Sequence, residues 1–431
     1  MLDLLLPDPV RPTWRWDFTS RALPAGSTFT RASAGSCFNS AGALASVASD
    51  TPRYDYDPAT LAPHGLLCEV QSTNLLLQSQ TVATAPWLTN SLALTAASGT
   101  APDGTNTLFK AVEGAATTTH ELSQQVGSTL TDTYYGLSFF VKAGPRTCVY
   151  LKLGASVGNY AAAVFDLQNG VVGETSVGAS SGAIFRTDIR ALGGGLYRVH
   201  MISKCNGTTL FAACGLATAA SGNTFLTSGS IQYAGDGTSH AFLWGAQLDS
   251  PGTGVTSYIA TAATTATRAA DQLVMPVSLL RGFNPAAGGV WAATYRLHTV
   301  APGTNQNPLF IGDAASNNVD IRAQSGTQGG PTLMGSLVRI GSYVINLNGG
   351  ARANPFVRRR QVFGYGPSRG VIAHDGVFDI GAASPGGLPL TMTTVYLGGD
   401  GSAGTSLNGS LESVAFYPGQ RSDSVVVRVS Q

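Results

Sequence analysis

In the segment SHAFLWGAQLD, residues 239–249, Phe242, Trp244, Ala246 and Leu248 recur at every second position, with Leu243 and Gln247 between them. Side chains alternate in this way only on a strand with one face against an apolar layer. After Leu248 the pattern collapses into Asp249-Ser250-Pro251-Gly252 and then an aperiodic run of Ala and Thr as far as Asp271. The stretch therefore reads as the closing strand of one β domain and an extended strap into a second.

Composition supports the same class. Only 11% of the residues are charged, against roughly 25% in an average soluble domain. The 53 glycines punctuate segments rich in Thr, Ser and Val, the pattern of many short strands joined by tight turns. A formal charge of +1 gives no overall pull toward nucleic acid or an anionic membrane. Cys37, Cys68, Cys148, Cys205 and Cys214 are odd in number and contain no C-x-x-C pair. Reduced, buried thiols and folding in a reducing cytoplasm are expected, not a disulfide framework or a zinc site. The opening MLDLLLPDPV carries Asp3 in place of a basic region and is cut short by Pro7. It does not read as a signal peptide, and no apolar run is long enough to insert in a membrane. Work outside the cell would then require release by lysis.

Three regions are expected. Residues 1–73 form an irregular leader, denied long helices and central strands by Pro7, Pro9, Pro12, Pro24, Pro52, Pro58 and Pro63. Trp14, Trp16, Phe18 and Phe29 require it to pack on something. Residues 74–271 and 272–431 each hold enough strand segments for an antiparallel β-sandwich, so the fold class is all-β, with two sandwiches in tandem. In the first, Tyr135, Leu137, Phe139 and Val141 share a face, as do Val149, Leu151 and Leu153, and Tyr197, Val199 and Met201. Phe165 and Leu167 join them, and Asn169-Gly170 is a hairpin turn signal. In the second, strands are read at VWAATYRLH, PLFIGD, VDIRAQ, LVRIGSYVINLNGG, RQVFGYG, GVIAHDGVFDIGA, TTVYLGG and SLNGSLESVAFYPG.

Several dispersed motifs resemble a leader and module found in tailed-phage virion proteins. They are Phe29-Thr30-Arg31-Ala32-Ser33, Pro52-Arg53-Tyr54-Asp55-Tyr56-Asp57-Pro58, Gly65-Leu66-Leu67-Cys68-Glu69 and Thr73-Asn74-Leu75-Leu76. Leu137–Gly144, Val164–Leu167, Gly195–Val199 and Leu243–Leu248 extend the resemblance over residues 29–271. It implies a jelly-roll sandwich similar to carbohydrate-binding modules, on a virion fibre, spike or decoration subunit. It further implies attachment to other virion proteins through the leader, and a homo-oligomer, with a trimer favoured. Leu309–Asp313, Val395–Gly398 and Leu407–Tyr417 resemble the concanavalin-A-like, laminin-G-like lectin fold, which sets the same expectation for residues 272–431.

The opposite faces of the first sandwich's strands carry Tyr134, Lys142, Tyr150, Lys152, Tyr160, Arg198 and His200. If those strands are neighbours, the side chains gather into a patch where rings stack on sugars and cations bind acidic or hydroxyl-rich glycans. The competing reading is a solvated face with long stems lying over the sheet. Asp313, Asn318 and Asp320 supply oxygens at calcium-like spacing, but loop carboxylates commonly hold no metal. No metal or cofactor is expected. Catalytic motifs such as H-E-x-x-H and the P-loop are missing, and His374-Asp375 before Gly376 reads as a turn. A non-enzymatic virion surface protein that recognises a host surface polysaccharide is the expectation. The alternative is a purely structural virion subunit. Neither involves nucleic acid, and Arg358-Arg359-Arg360 is expected to split across the two faces of a strand.

Overall fold

The computed structural model describes residues 11–431 except 97–98, 106, 181, 300–304, 314–315, 326–330, 340–341, 352–355, 384–387, 390 and 403–404. The opening MLDLLLPDPV thus lies outside the described residues. Two antiparallel sandwiches of jelly-roll type account for nearly all the regular structure, as the alternation requires. In the first, one sheet runs Ala183–Gly193, Leu196–Cys205, Thr133–Ala143, His240–Asp249, Phe109–Glu113, Leu92–Ala96. The other runs Val171–Val177, Asn159–Asp166, Cys148–Ser156, Thr209–Ala217, Glu121–Gly127, Leu88–Asn90. Leu137, Phe139, Val141, Val149, Leu151, Phe165, Val199 and Met201 meet between them, on the faces expected from the sequence.

The Trp244 strand departs from simple alternation. Ala241 and Leu243 face the core, and so do Ala246 and Leu248, while Trp244 lies on the outer side against Phe140 and Tyr258. Gly245 has φ +62°, and the register slips opposite Ser138 and Phe140. An added residue in one strand exchanges its faces, which puts Trp244 opposite to where strict alternation places it.

The leader is not a separate irregular segment. Trp14–Asp17 and Pro63–Cys68 pair end to end along Gly409–Pro418, the first with residues 413–416 and the second with 409–411. Tyr54–Tyr56 extends that sheet, and Thr28–Thr30 joins the opposing one through Gln272–Pro276. Phe18, Phe29 and Leu66 are core residues of the second sandwich, with Trp14 and Trp16 packed partly against it. Burying such side chains contributes roughly 1.5–3 kcal/mol each. The second sandwich is therefore built from both ends of the chain, with the first inserted between Cys68 and Gln272. Gly65 permits a close approach, since a Cβ there would stand 2.2 Å from the Leu411 carbonyl oxygen. The segment LVRIGSYVINLNGG, read as one strand, contributes to two, Pro331–Arg339 and Ser342–Ala351, with 340–341 outside the described residues. The closing helix Asp423–Val429 sets Val426 and Val429 on the outer face of one sheet. No helix among the described residues is long and apolar enough to cross a membrane.

Where the chain passes between sandwiches, five charged side chains are buried together. Arg31 lies 3.1 Å from Asp271, Arg53 2.8 Å from Glu69, and Arg268 3.5 Å from Glu69. Arg53 also pairs with Asp271, and the Glu69 amide donates to Asp271 at 3.0 Å. Burial alone would raise the Glu69 carboxyl, but Arg268 and Arg53 hold it well below the usual carboxylate range.

Two outcomes follow. A fragment of residues 272–431 lacks four leader strands of its sheets, so it shows no cooperative melting by circular dichroism, whereas residues 72–268 melt cooperatively. A depressed carboxylate contributes stability present above its unfolded pKa of ~4.3 and lost as pH falls below it. Glu69→Gln therefore lowers stability at pH 7 by about 3–5 kcal/mol and flattens the acid limb of the stability curve in urea titrations.

Candidate functional site

The sequence-predicted patch divides between the two sheets of the first sandwich. Thr133–Ala143 neighbours Leu196–Cys205, whereas Cys148–Ser156 neighbours Asn159–Asp166 in the opposing sheet. Tyr150, Lys152 and Tyr160 therefore point away from Arg198 and His200 across the full thickness of the sandwich. Their face is also covered. Tyr150 is fully buried with Ile231 and Val164, and its hydroxyl donates to Glu121 at 2.7 Å. Lys152 Nζ donates to Glu121 at 3.1 Å and to Ser230 at 2.6 Å. Tyr160 contacts Ser176 through its hydroxyl at 3.0 Å. Gly215 makes room for the Tyr150 ring, which a Cβ would meet at 2.3 Å. On the other sheet, Tyr134 packs on Phe185 opposite Lys204, and Lys142 is exposed at the far end opposite Leu196.

Arg198 and His200 do come together, in a cleft of about 400 Å³ between the two sandwiches. The hairpin Ala183–Gly193 and Leu196–Cys205 forms one wall. Its register sets Asp188 opposite His200 and Arg190 opposite Arg198. Like charges directly across a ladder repel. Among the described residues neither arginine has a carboxylate within ion-pair distance. Arg198 donates to Ser138 at 3.0 Å and lies over Phe140, and Arg190 lies over Phe38. Arg190 Nη2, Arg198 Nε and His200 Nε2 are buried without a hydrogen-bond partner. Burial lowers the Arg198 pKa to about 10 despite Asp249, and burial with Arg198 lowers that of His200 to about 3. His200 is thus neutral at physiological pH. Burial likewise raises the Asp188 carboxyl above its ordinary value, against the pull of Arg186.

The second sandwich supplies the facing wall, including Asp55, Asp57, His64, Arg296 and His298. Asp55 Oδ1 accepts from the Phe38 amide at 2.9 Å, while Oδ2 has no hydrogen-bond partner, nor has His64 Nδ1. Asp55 Oδ2 lies 3.8 Å from His64 Nδ1 and 3.7 Å from His298 Nε2. These ligand-type atoms lie within 4.8 Å of one another.

Sequence reasoning missed Asp188, Arg190, Asp55, His64 and His298. A signal existed for the first two, because Arg186, Asp188 and Arg190 alternate along IFRTDIRALG, a strand that went unread. None existed for the others, which are brought together across 243 positions. The other candidate groups serve the fold. Asp320 pairs with Arg322 at 2.9 Å, and Asp313 accepts from Asn317 and Thr391. His374 pairs with Asp379 at 2.8 Å, not with Asp375, which sits in the turn at φ +44°. Arg358 binds Glu412, Arg359 binds Asp375, and Arg360 donates to the Val429 carbonyl. All five cysteines are buried and unbridged.

No protein-family model matches the chain, and no curated protein matches it. Among solved structures it is similar to the CBM40 module of the Ruminococcus gnavus IT-sialidase, at 16% identity over 34% of this chain and 84% of that one, TM-score 0.28. Full-length tailspike protein 2 of Escherichia coli O157:H7 bacteriophage CAB120 is similar at 19% identity over 37% of this chain and 23% of its own, TM-score 0.27. The LG4-5 domains of the mouse laminin alpha1 chain align at 10% identity over 71% of this chain and 87% of theirs, TM-score 0.24. These TM-scores transfer nothing to the site.

The division of the patch reverses the expected behaviour of Tyr150. Tyr150→Ala removes a buried ring and costs about 3–5 kcal/mol, comparable to Leu151→Ala beside it. Tyr150→Phe loses only the Glu121 bond, about 1–3 kcal/mol. Thermal melts of the three variants check the order.

Proposed function

We propose that the protein is a non-enzymatic saccharide-binding protein that holds an acidic sugar in the cleft between its sandwiches. The observation that carries this reading is the Arg190–Arg198 pair with its neighbour His200. Three buried polar atoms, Arg190 Nη2, Arg198 Nε and His200 Nε2, lack partners on one wall of one cleft. A buried polar group left unpaired costs about 1–3 kcal/mol, and two adjacent guanidinium groups add mutual repulsion. A carboxylate seated between them relieves both costs, with the planar forks matching its oxygens. Asp188 and Asp57 are placed to accept hydrogen bonds from sugar hydroxyls, and Phe38, Phe140 and Tyr258 give apolar surface for the ring. The volume is at the low end of small-ligand pockets, roughly 300–1,000 Å³, so a terminal sugar fits better than a length of polymer.

The placement on a virion surface rests on the dispersed motifs of residues 29–271. Attachment to other virion proteins and assembly as a homo-oligomer belong to the same proposal. The runner-up, a structural subunit without a ligand, draws on the use of Arg31, Arg53, Glu69, Arg268 and Asp271 in a buried lock.

A glycan array with the intact chain, followed by calorimetry, decides between them. Acidic saccharides bind and their neutral counterparts bind at least tenfold more weakly. Arg190→Gln abolishes the preference while melting like the wild type. Absence of binding to any acidic glycan sinks the proposal and leaves the structural reading. Release of reducing ends from a bound oligosaccharide would overturn the non-enzymatic part.

A further inference from the structure

We infer that Asp55, His64 and His298 form a site for one divalent transition-metal ion of the zinc class, set in the cleft wall opposite the arginine pair. The inference does not depend on the saccharide reading, because the three ligand atoms lie on the other sandwich and none of them serves the arginine pair.

The first ground is the state of the donor atoms. Asp55 is 2% exposed and His64 is 7% exposed, yet Asp55 Oδ2 and His64 Nδ1 have no hydrogen-bond partner. They face each other at 3.8 Å, too far for a hydrogen bond and too close to hold a water between them. Groups buried this deeply are almost always satisfied, so two orphans aimed at one point require an occupant.

Geometry is the second ground. Metal–nitrogen and metal–oxygen bonds of about 2.0–2.2 Å in a tetrahedron set ligand atoms roughly 3.3–3.5 Å apart. Asp55 Oδ2 stands 3.8 Å from His64 Nδ1 and 3.7 Å from His298 Nε2. A contraction of a few tenths of an ångström brings each imidazole to bonding geometry with Asp55, and the two ring nitrogens, within 4.8 Å of each other, draw together around the ion. Ser410 Oγ, 3.0 Å from His298 Nε2, is the contact that the ion displaces. Two imidazoles and one carboxylate select zinc, cobalt or nickel over calcium and magnesium, which prefer oxygen ligands throughout.

The third ground is the surrounding support. Asp57 Oδ2 lies 3.8 Å from His64 Nε2, the ring nitrogen that does not face Asp55. Asp57 is itself fixed by the Ala59 and Thr60 amides, each at 2.9 Å. A carboxylate behind a ligating imidazole raises its basicity; at 3.8 Å Asp57 acts on the ring through its charge. Asp55 is held by Phe38 N through the oxygen that would not bind the ion, which leaves Oδ2 free. Three protein ligands leave a fourth position toward the cleft.

The test uses the intact chain, stripped with a chelator and dialysed against Co²⁺ or Zn²⁺, with no saccharide present. One equivalent of metal per chain is retained, Co²⁺ gives the visible absorption of an imidazole-ligated ion, and melting rises with added Zn²⁺. His64→Ala and His298→Gln each lower affinity at least tenfold, Asp57→Asn lowers it less than either, and His374→Ala binds like the wild type. Substoichiometric metal in the wild type, or equal retention by wild type and His64→Ala, overturns the site. Should His64→Ala fail to melt cooperatively, Asp55→Asn decides, because it keeps the Oδ1 acceptor for Phe38 N. Undiminished metal binding in Asp55→Asn likewise overturns it.

Discussion

The buried cluster of Arg31, Arg53, Arg268, Glu69 and Asp271 joins segments that are remote in sequence. Arg31 and Arg53 come from the leader, Glu69 from the first crossing between sandwiches, and Arg268 and Asp271 from the return. Three guanidinium groups face two carboxylates, and the excess donors are taken up by carbonyls. Arg31 reaches Thr51 and Ser33, and Arg268 reaches Ala269 and Val70. Such a network adds little net stability over an apolar core, but losing one member strands the others as buried charges. It therefore favours the arrangement of the crossings that pairs all five groups.

That arrangement sets the cleft. Asp55 follows Arg53 by two residues, and Phe38, whose amide holds Asp55, follows Ser36, whose carbonyl accepts from Arg53 at 2.8 Å. The second-sandwich wall is thus tied to the lock directly. The facing wall is held by the core of the first sandwich, since Val199 and Met201 are buried on the opposite side of the strand that carries Arg198 and His200. Rigid elements on both sides, not loops, position the unpaired polar groups.

The two sheets of the first sandwich show how far local pattern reaches. Alternation placed Val149 and Leu151 inside and Tyr150 outside the main core, and that register is correct. Outside did not mean exposed, because the segment around Ile231 folds over that face. The Trp244 strand shows the opposite limit: Gly245 reverses the faces within a run that reads as uniform.

The sequence by itself determined the all-β class, the face of most strands and the need for the aromatic leader to pack. These follow from the alternation of Cβ directions and from the cost of leaving large apolar surfaces in water, both local properties. Tertiary structure alone decided that the leader completes the second sandwich, that the seven candidate side chains separate, and that His64, His298 and Arg190 line one cleft. Strand partners are chosen by pairing and packing across hundreds of residues, and spacing along the chain carries no record of that choice.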